Sequence, residues 1–488
     1  MSLINVTNLT FAYDGSYDTI FDGVSFQIDT DWKLGFTGRN GRGKTTFLNL
    51  LMGNYEYAGS ISASVRFELF PFPVSHPERL TMEILEEISP DVPFWQLQRE
   101  LSLLEVEEEV LWRAYETLSN GERTKVLLAA LFLRENSYLL IDEPTNHLDL
   151  RGRELVSRYL QGKKGFLLVS HDRAFLDGCV DHILSINKST IEVCRGNFST
   201  WLQNRERRDH FEQAENEKLR KEIRRLSEAA KEKAVWSDRV EKSKYGDGSV
   251  DTGYIGHQSA RMMGRAKAIE TRRQKAVEEK SRLLKDLEKK EDLKLFQQPY
   301  HTNRLISARD LSIRYGEASI FEHLTFTVEL GDRIALRGKN GSGKSSLLKL
   351  LCGQEIPHTG ILEIGSRLRI SYVPQDASGL RGGLRDFALQ HRIDESQLKT
   401  ILRKLDFSRT QFEKDMADYS EGQKKKVLLA ASPCEDAHLH IWDEPMNYID
   451  VISRIQLEEL LLRFRPTLLF VEHDKVFCDT IATKTILL

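Results

Sequence analysis

Gly38-Arg-Asn-Gly-Arg-Gly-Lys44-Thr45 is the stretch that decides the fold. It follows an apolar strand, Lys33-Leu-Gly-Phe-Thr37, and runs into a leucine-rich helix, Phe47-Leu-Asn-Leu-Leu51. That is the strand–loop–helix setting in which G-x-x-x-x-G-K-[ST] holds phosphate. Gly38, Gly41 and Gly43, with Asn40 among them, let backbone N–H groups turn inward around phosphate oxygens. Lys44 brings charge to the β/γ positions, and Thr45, backed by Thr46, offers a hydroxyl to Mg²⁺. The loop recurs as Gly338-Lys-Asn-Gly-Ser-Gly-Lys344-Ser345, with Asn340, Gly341, Gly343 and Ser346 in the matching places. Lys44 and Lys344 lie 300 residues apart, and Asp142 and Asp443 lie 301 apart. Offsets so nearly constant indicate a duplicated domain.

Each copy carries the same further pieces. Leu139-Leu-Ile-Asp142-Glu143 and Ile441-Trp-Asp443-Glu444 read as buried strands ending in two acids. The first acid is placed for Mg²⁺ or its waters, and the second, Glu143 or Glu444, for polarising an attacking water. Surface acids would not end so apolar a run. Ser119 and Gly121, and again Ser420 and Gly422, stand at a helix N-terminus, a ready anion site. His171 and His473 close apolar strands, where an imidazole either contacts a γ-phosphate or serves the structure. Tyr13 and Tyr315 each follow a strand ahead of the phosphate loop, where a ring can stack on a base or pack into the core.

In this order the pieces resemble the ATP-binding cassette. The resemblance implies an α/β fold with two ATP-binding-cassette domains, and ATP with Mg²⁺ as the ligands. It makes Tyr13 and Tyr315 the adenine platforms, Asp149 the D-loop acid and His171 and His473 the switch histidines. It also implies that each signature faces the other domain's phosphate loop: Gly38 to Thr45 with Ser420 and Gly422, and Gly338 to Ser345 with Ser119 and Gly121. Gln375 fills the Q-loop of the second copy as a Mg²⁺ ligand, but the first has Phe72, which cannot ligate a metal. The acidic loops differ too, Glu143-Pro-Thr-Asn-His-Leu-Asp149 against Glu444-Pro-Met-Asn-Tyr-Ile-Asp450. Two unequal ATP sites are therefore expected.

Between the copies lies a charged stretch with apolar residues at helical spacing, Leu219, Ile223, Leu226 and Ala230, then Ile269, Ala276, Leu283 and Leu287. Tyr245-Gly-Asp-Gly-Ser-Val-Asp-Thr-Gly-Tyr-Ile-Gly256 interrupts it, because glycine is costly inside a helix. The expected organisation is a first cassette over 1–200, a long antiparallel α-helical hairpin over 201–298 with its tip near 245–258, and a second cassette over 299–488. From Trp201 to Tyr300 there are 25 Lys and Arg against 19 Asp and Glu, while the whole chain carries −3. A basic protrusion on a more acidic body suits a polyanion such as RNA; a solvated spacer is the plainer alternative. The five cysteines have no metal or redox spacing, which fits a reducing cytosol. Neither a leader nor an apolar run long enough to cross a bilayer is evident, so no membrane span is expected.

Two cassettes on one chain, with a helical insert between them, resemble the ABC-F family of ATPases that act on ribosomes. Trp236-Ser-Asp-Arg-Val-Glu-Lys, Gly253-Tyr-Ile-Gly256 and Ser259-Ala-Arg-Met-Met263 are most similar to its Lsa-type antibiotic-resistance group. The resemblance implies a cytoplasmic monomer that binds the bacterial 70S ribosome, at 23S rRNA and peptidyl-tRNA, and dislodges lincosamides, streptogramin A compounds and pleuromutilins. Lys244, Tyr254, Ile255 and His257 would form the ribosome-facing tip, and Arg224, Arg225, Arg272 and Arg273 would meet RNA phosphates. A housekeeping ABC-F translation factor and the ATPase subunit of a membrane transporter stay open as alternatives.

Overall fold

A computed structural model describes residues 2–13, 19–146, 148–187, 190–208, 210, 211, 214–218, 221, 298–316, 318–339 and 341–488. The chain divides into two compact units, Met1–Trp201 with Leu293–Leu488, and Leu202–Asp292. Almost all of the second unit, including the expected hairpin, its tip residues and the four arginines named above, lies outside the described residues.

The first unit is built twice from one plan. A three-stranded antiparallel sheet, ordered β2-β1-β4 (Thr19–Asp29, Leu3–Ala12, Ala58–Ser62), packs beside a six-stranded sheet. The latter runs β5 (Arg66–Phe70), β6 (Ser137–Asp142), β7 (Phe166–Val169), β3 (Lys33–Gly38), β8 (His182–Asn187), β9 (Thr190–Arg195). Strands β5 to β8 are parallel, and β9 returns antiparallel. Strand β7, Phe-Leu-Leu-Val, is buried throughout, and β6 is buried from Tyr138 to Ile141. Such unbroken apolar runs belong to strands covered on both faces.

The second copy repeats this as β11-β10-β13 (Ala318–Glu329, Arg304–Tyr315, His358–Ile364) beside β14 (Ile370–Val373), β15 (Leu439–Asp443), β16 (Leu468–Val471), β12 (Arg333–Arg337) and β17 (Lys484–Leu487). In both copies the helix after the phosphate loop fills the space between the two sheets. Phe47 and Leu48 pack with Ile4, Phe21 and Leu167; Leu347 and Leu348 pack with Ile306, Ile313 and Leu469. The parallel order brings the carboxyl ends of β3, β6 and β7 together, and likewise those of β12, β15 and β16. In open α/β sheets that edge is where ligands bind. A separate helical core, with Leu398, Ile401, Leu402, Met416 and Val427, carries the second signature. Among the described residues no helix is long and apolar enough to cross a membrane.

Candidate functional site

Helix Lys44–Leu51 begins at Gly43, whose φ of 92° is left-handed; Gly343 ahead of helix Lys344–Leu351 has 91°. A Cβ on Gly43 would come within 2.5 Å of Ile20, and one on Gly343 within 2.3 Å of Ile320. Conformation and space together require glycine there. Lys44 and Lys344 are both buried. Lys44 Nζ donates to Gly38 O at 2.8 Å and to Asn40 Oδ1 at 3.3 Å; Lys344 Nζ donates to Gly338 O at 3.0 Å and Lys339 O at 2.7 Å. Each ammonium is thus held at the mouth of its loop, within reach of an anion seated there.

Glu143 and Glu444 step off the ends of β6 and β15 with φ of 49° and 45°. Non-glycine residues with left-handed backbones are concentrated at functional sites. Glu143 Oε1 is buried with no hydrogen-bond partner, and His171 Nε2 lies 3.3 Å from it. Thr45 Oγ1 reaches Asp142 Oδ2 at 3.5 Å. In the second copy Gln375 Nε2 and Asn447 Nδ2 both donate to Glu444 Oε2 at 2.7 Å, and His473 Nε2 stands 3.8 Å from Glu444 Oε1. Burial holds His171 well below the usual imidazole range, helped by the charge of Lys44. It pushes His473 down to about 4, with Arg153 acting in the same sense. Both rings are neutral near pH 7.

Burial, then the charge of Asp142, pushes Glu143 up to about 8, against the pull of Arg454 and Lys44. A carboxyl that titrates higher in the folded chain than in the unfolded one subtracts stability as pH climbs towards the folded value. Glu143→Gln is therefore expected to stabilise the nucleotide-free protein by a margin that grows from about pH 5 to about pH 8 and flattens above it. Thermal unfolding midpoints of both proteins across that range check this, and a margin independent of pH contradicts it.

Both sites are composite. Tyr13, Asn40, Gly41, Gly43, Lys44, Thr45, Thr46, Asp142, Glu143 and His171 line one cavity of 310 Å³. The loop after Glu444 in the second copy closes against it: Asn40 Nδ2 donates to Tyr448 O at 2.6 Å. A Cβ on Gly422 would sit 2.5 Å from Tyr448 O and 3.0 Å from Asn40 Nδ2, so only glycine fits. Ser420 caps the signature helix, accepting from Gln423 N at 3.3 Å. The other site is a wider cleft of 1510 Å³. There Ser119 and Gly121 share the lining with Gly341, Gly343, Lys344, Ser345, Ser346, Gln375, Glu444 and His473. Asn340 lies outside the described residues. Tyr13 and Tyr315 bond through their hydroxyls to Thr46 and Ser346, at 2.8 and 3.2 Å, leaving both rings part-exposed beside their loops. The Arg134 guanidinium lies over Phe72, 5.9 Å from the ring centre, and among the described residues the first site shows no counterpart of the Gln375 bond to Glu444.

Several contacts at this interface join residues that no motif marks. Asp406 grips the first phosphate loop through Arg39 at 3.3 Å and Arg42 at 3.1 Å. Arg173, two residues past His171, pairs with Glu458 of the other cassette inside the interface. Arg153 and Arg454, 301 residues apart, brace Asp172 and Asp474 at 2.9 Å. Alignment of the two copies would have revealed the last pair; nothing local reveals the first two.

The family model described as ABC transporter matches residues 21–146 and again 321–447, more than half the chain. The ribosome protection protein VmlR of Bacillus subtilis is 28% identical across 98% of this chain and 85% of its own length. The energy-dependent translational throttle protein EttA of Escherichia coli is 25% identical across 95% and 88%. This chain belongs to the ABC-F family. Among solved structures, archaeal ribosome recycling factor aABCE1, in complex with the ribosomal stalk protein aP1, matches with a TM-score of 0.64 at 21% identity. That match covers 98% of this chain and 87% of the other, and it establishes the two-cassette fold. Like the ABC-F family at large, the chain is an ATPase.

ABC domains bind ATP with Mg²⁺, and the residues present fit the metal. Asp443 Oδ1 is buried with no hydrogen-bond partner. Among the described residues no cluster of three acidic, His or Cys groups forms an all-protein cage. Mg²⁺ is commonly held by a carboxylate or two together with substrate phosphates, so a Ser or Thr hydroxyl and one Asp per site suffice on the protein side.

Proposed function

We propose that this chain is an ATP-driven ribosome-protection factor of bacteria. It binds the 70S ribosome in the exit-tRNA region, with the linker reaching towards peptidyl-tRNA and 23S rRNA, and dislodges drugs from the peptidyl-transferase centre. The observation that carries this reading is the similarity to VmlR, which runs through the linker as well as both cassettes. The composite sites supply the drive. The backbone N–H groups of each phosphate loop cradle the β/γ-phosphates with Lys44 or Lys344, and Ser420 and Gly422, or Ser119 and Gly121, close from the opposite cassette. Thr45 and Asp142, or Ser345, Asp443 and Gln375, would hold Mg²⁺, which would supply neutralisation of phosphate charge. Glu143 and Glu444, in their ionised forms, accept the proton of the attacking water, and His171 and His473, neutral, hydrogen-bond at the γ-phosphate. Closure fixes the linker, and hydrolysis releases it.

The Lsa-type stretches of the linker point to lincosamides, streptogramin A compounds and pleuromutilins as the drugs displaced. Expression in a sensitive Gram-positive host is expected to raise minimum inhibitory concentrations for all three classes, and Glu143→Gln with Glu444→Gln to remove that protection. The EttA similarity favours a second reading, a drug-independent translation factor. Unchanged susceptibility in cells whose ribosomes carry the protein would select it.

A further inference from the structure

Two consecutive lysines on the signature helix Glu421–Ala431 are buried, Lys425 being 1% and Lys426 5% exposed. A buried ammonium must find partners, and these two find them in opposite directions. Lys426 Nζ donates to Asp450 Oδ2 at 2.7 Å and Leu405 O at 3.0 Å, beside Asp406 and the first phosphate loop. Lys425 Nζ turns towards the second site. It donates to Pro374 O at 2.7 Å and to Gln375 O and Asp443 O at 3.2 Å. One ammonium therefore joins three segments: the Q-loop after β14, the end of β15, and the signature helix. The side chain of Gln375 continues the chain of contacts to Glu444 Oε2 at 2.7 Å.

Among the described residues the first cassette shows no such device. Thr124 occupies the matching place, 301 residues earlier. Its hydroxyl donates to Asn120 O at 3.0 Å, inside its own helix. Phe72 stands where Gln375 would be. The two cassettes thus differ at both ends of the same linkage.

We propose that Lys425 is a positioning residue for ATP hydrolysis at the second site: its three bonds to main-chain carbonyls fix the Q-loop against β15, so that Gln375 holds Glu444 in its working orientation. The inference goes beyond the ribosomal function and does not depend on it. Arginine, also cationic and rich in donors, can take over part of the task, whereas threonine, the residue of the first cassette, cannot reach.

The test uses the full chain and steady-state ATP hydrolysis. Lys425→Thr is expected to lower kcat about tenfold or more in a Glu143→Gln background, where turnover comes from the second site, with KM changed less than about twofold. In a Glu444→Gln background, where turnover comes from the first site, the same change is expected to lower kcat less than about twofold. Lys425→Arg is expected to recover a substantial part of the loss. Amide exchange provides a readout independent of turnover: Lys425→Thr should speed exchange over residues 372–378 and leave 70–76 unchanged. Equal losses of kcat in the two backgrounds, or unchanged exchange over 372–378, would overturn the proposal.

Discussion

Replacing both Glu143 and Glu444 by glutamine is expected to cut ATP turnover by about a hundredfold or more while leaving ATP binding intact. The amide keeps the size of the acid and its place at the strand end but cannot accept a proton. Binding survives because the groups that meet the phosphates, the two loops with Lys44 and Lys344, are untouched. The two single variants should not be equivalent. Glu444 is held by two donors, Gln375 and Asn447, whereas Glu143 has a buried oxygen without a hydrogen bond. Phosphate release and equilibrium binding of labelled ATP measure the two properties separately. Parental turnover in the double variant would remove both glutamates from the chemistry.

The largest effect on stability is expected from Glu458→Ala. Glu458 and Arg173 are buried together between the cassettes, and burial pushes the Glu458 carboxyl up while Arg173 pulls it back. Removing one partner leaves the guanidinium without its counter-charge, a loss on the order of 3–5 kcal/mol. Replacing both, with Arg173→Met and Glu458→Leu, should cost much less, because no uncompensated charge remains. The pseudo-equivalent of Arg173 is Lys475, which approaches Glu154 only at 3.8 Å with both side chains more than half exposed. Lys475→Ala should accordingly shift the unfolding midpoint little. Denaturant midpoints of the four proteins decide it; equal effects of Glu458→Ala and Lys475→Ala would contradict the argument.

These contacts show where the sequence could and could not be read. The phosphate loops, the strand-end acids and the signature helices are legible because local backbone geometry dictates their residues. Gly43 is needed for its φ and for Ile20, and Ser119 and Ser420 for capping their helices. The cross-pairing of loop and signature followed from the family resemblance, and Asn40 against Tyr448 and Gly422 is its physical form. Asp406 with Arg39 and Arg42 could not be read, since the partners are more than 360 residues apart and a charged residue in a turn looks like any solvated one. Lys425 was equally hidden, as a lysine among lysines in Gln423-Lys-Lys-Lys426. Only its mismatch with Thr124, seen when the copies are superposed in register, marks it out. In sequence Phe72 is a missing metal ligand; in the structure the glutamine it replaces is, at the other site, also a hydrogen-bond donor to Glu444.

The central claim, that ATP-driven closure of two cassettes carries this protein onto the ribosome, is tested most directly by co-sedimentation of the Glu143→Gln, Glu444→Gln protein with 70S ribosomes. The expected result is pelleting with ribosomes in ATP, little in ADP, and progressive release as salt rises and counterions compete for RNA phosphates. Equal pelleting in ATP and ADP, or none in either, would contradict it.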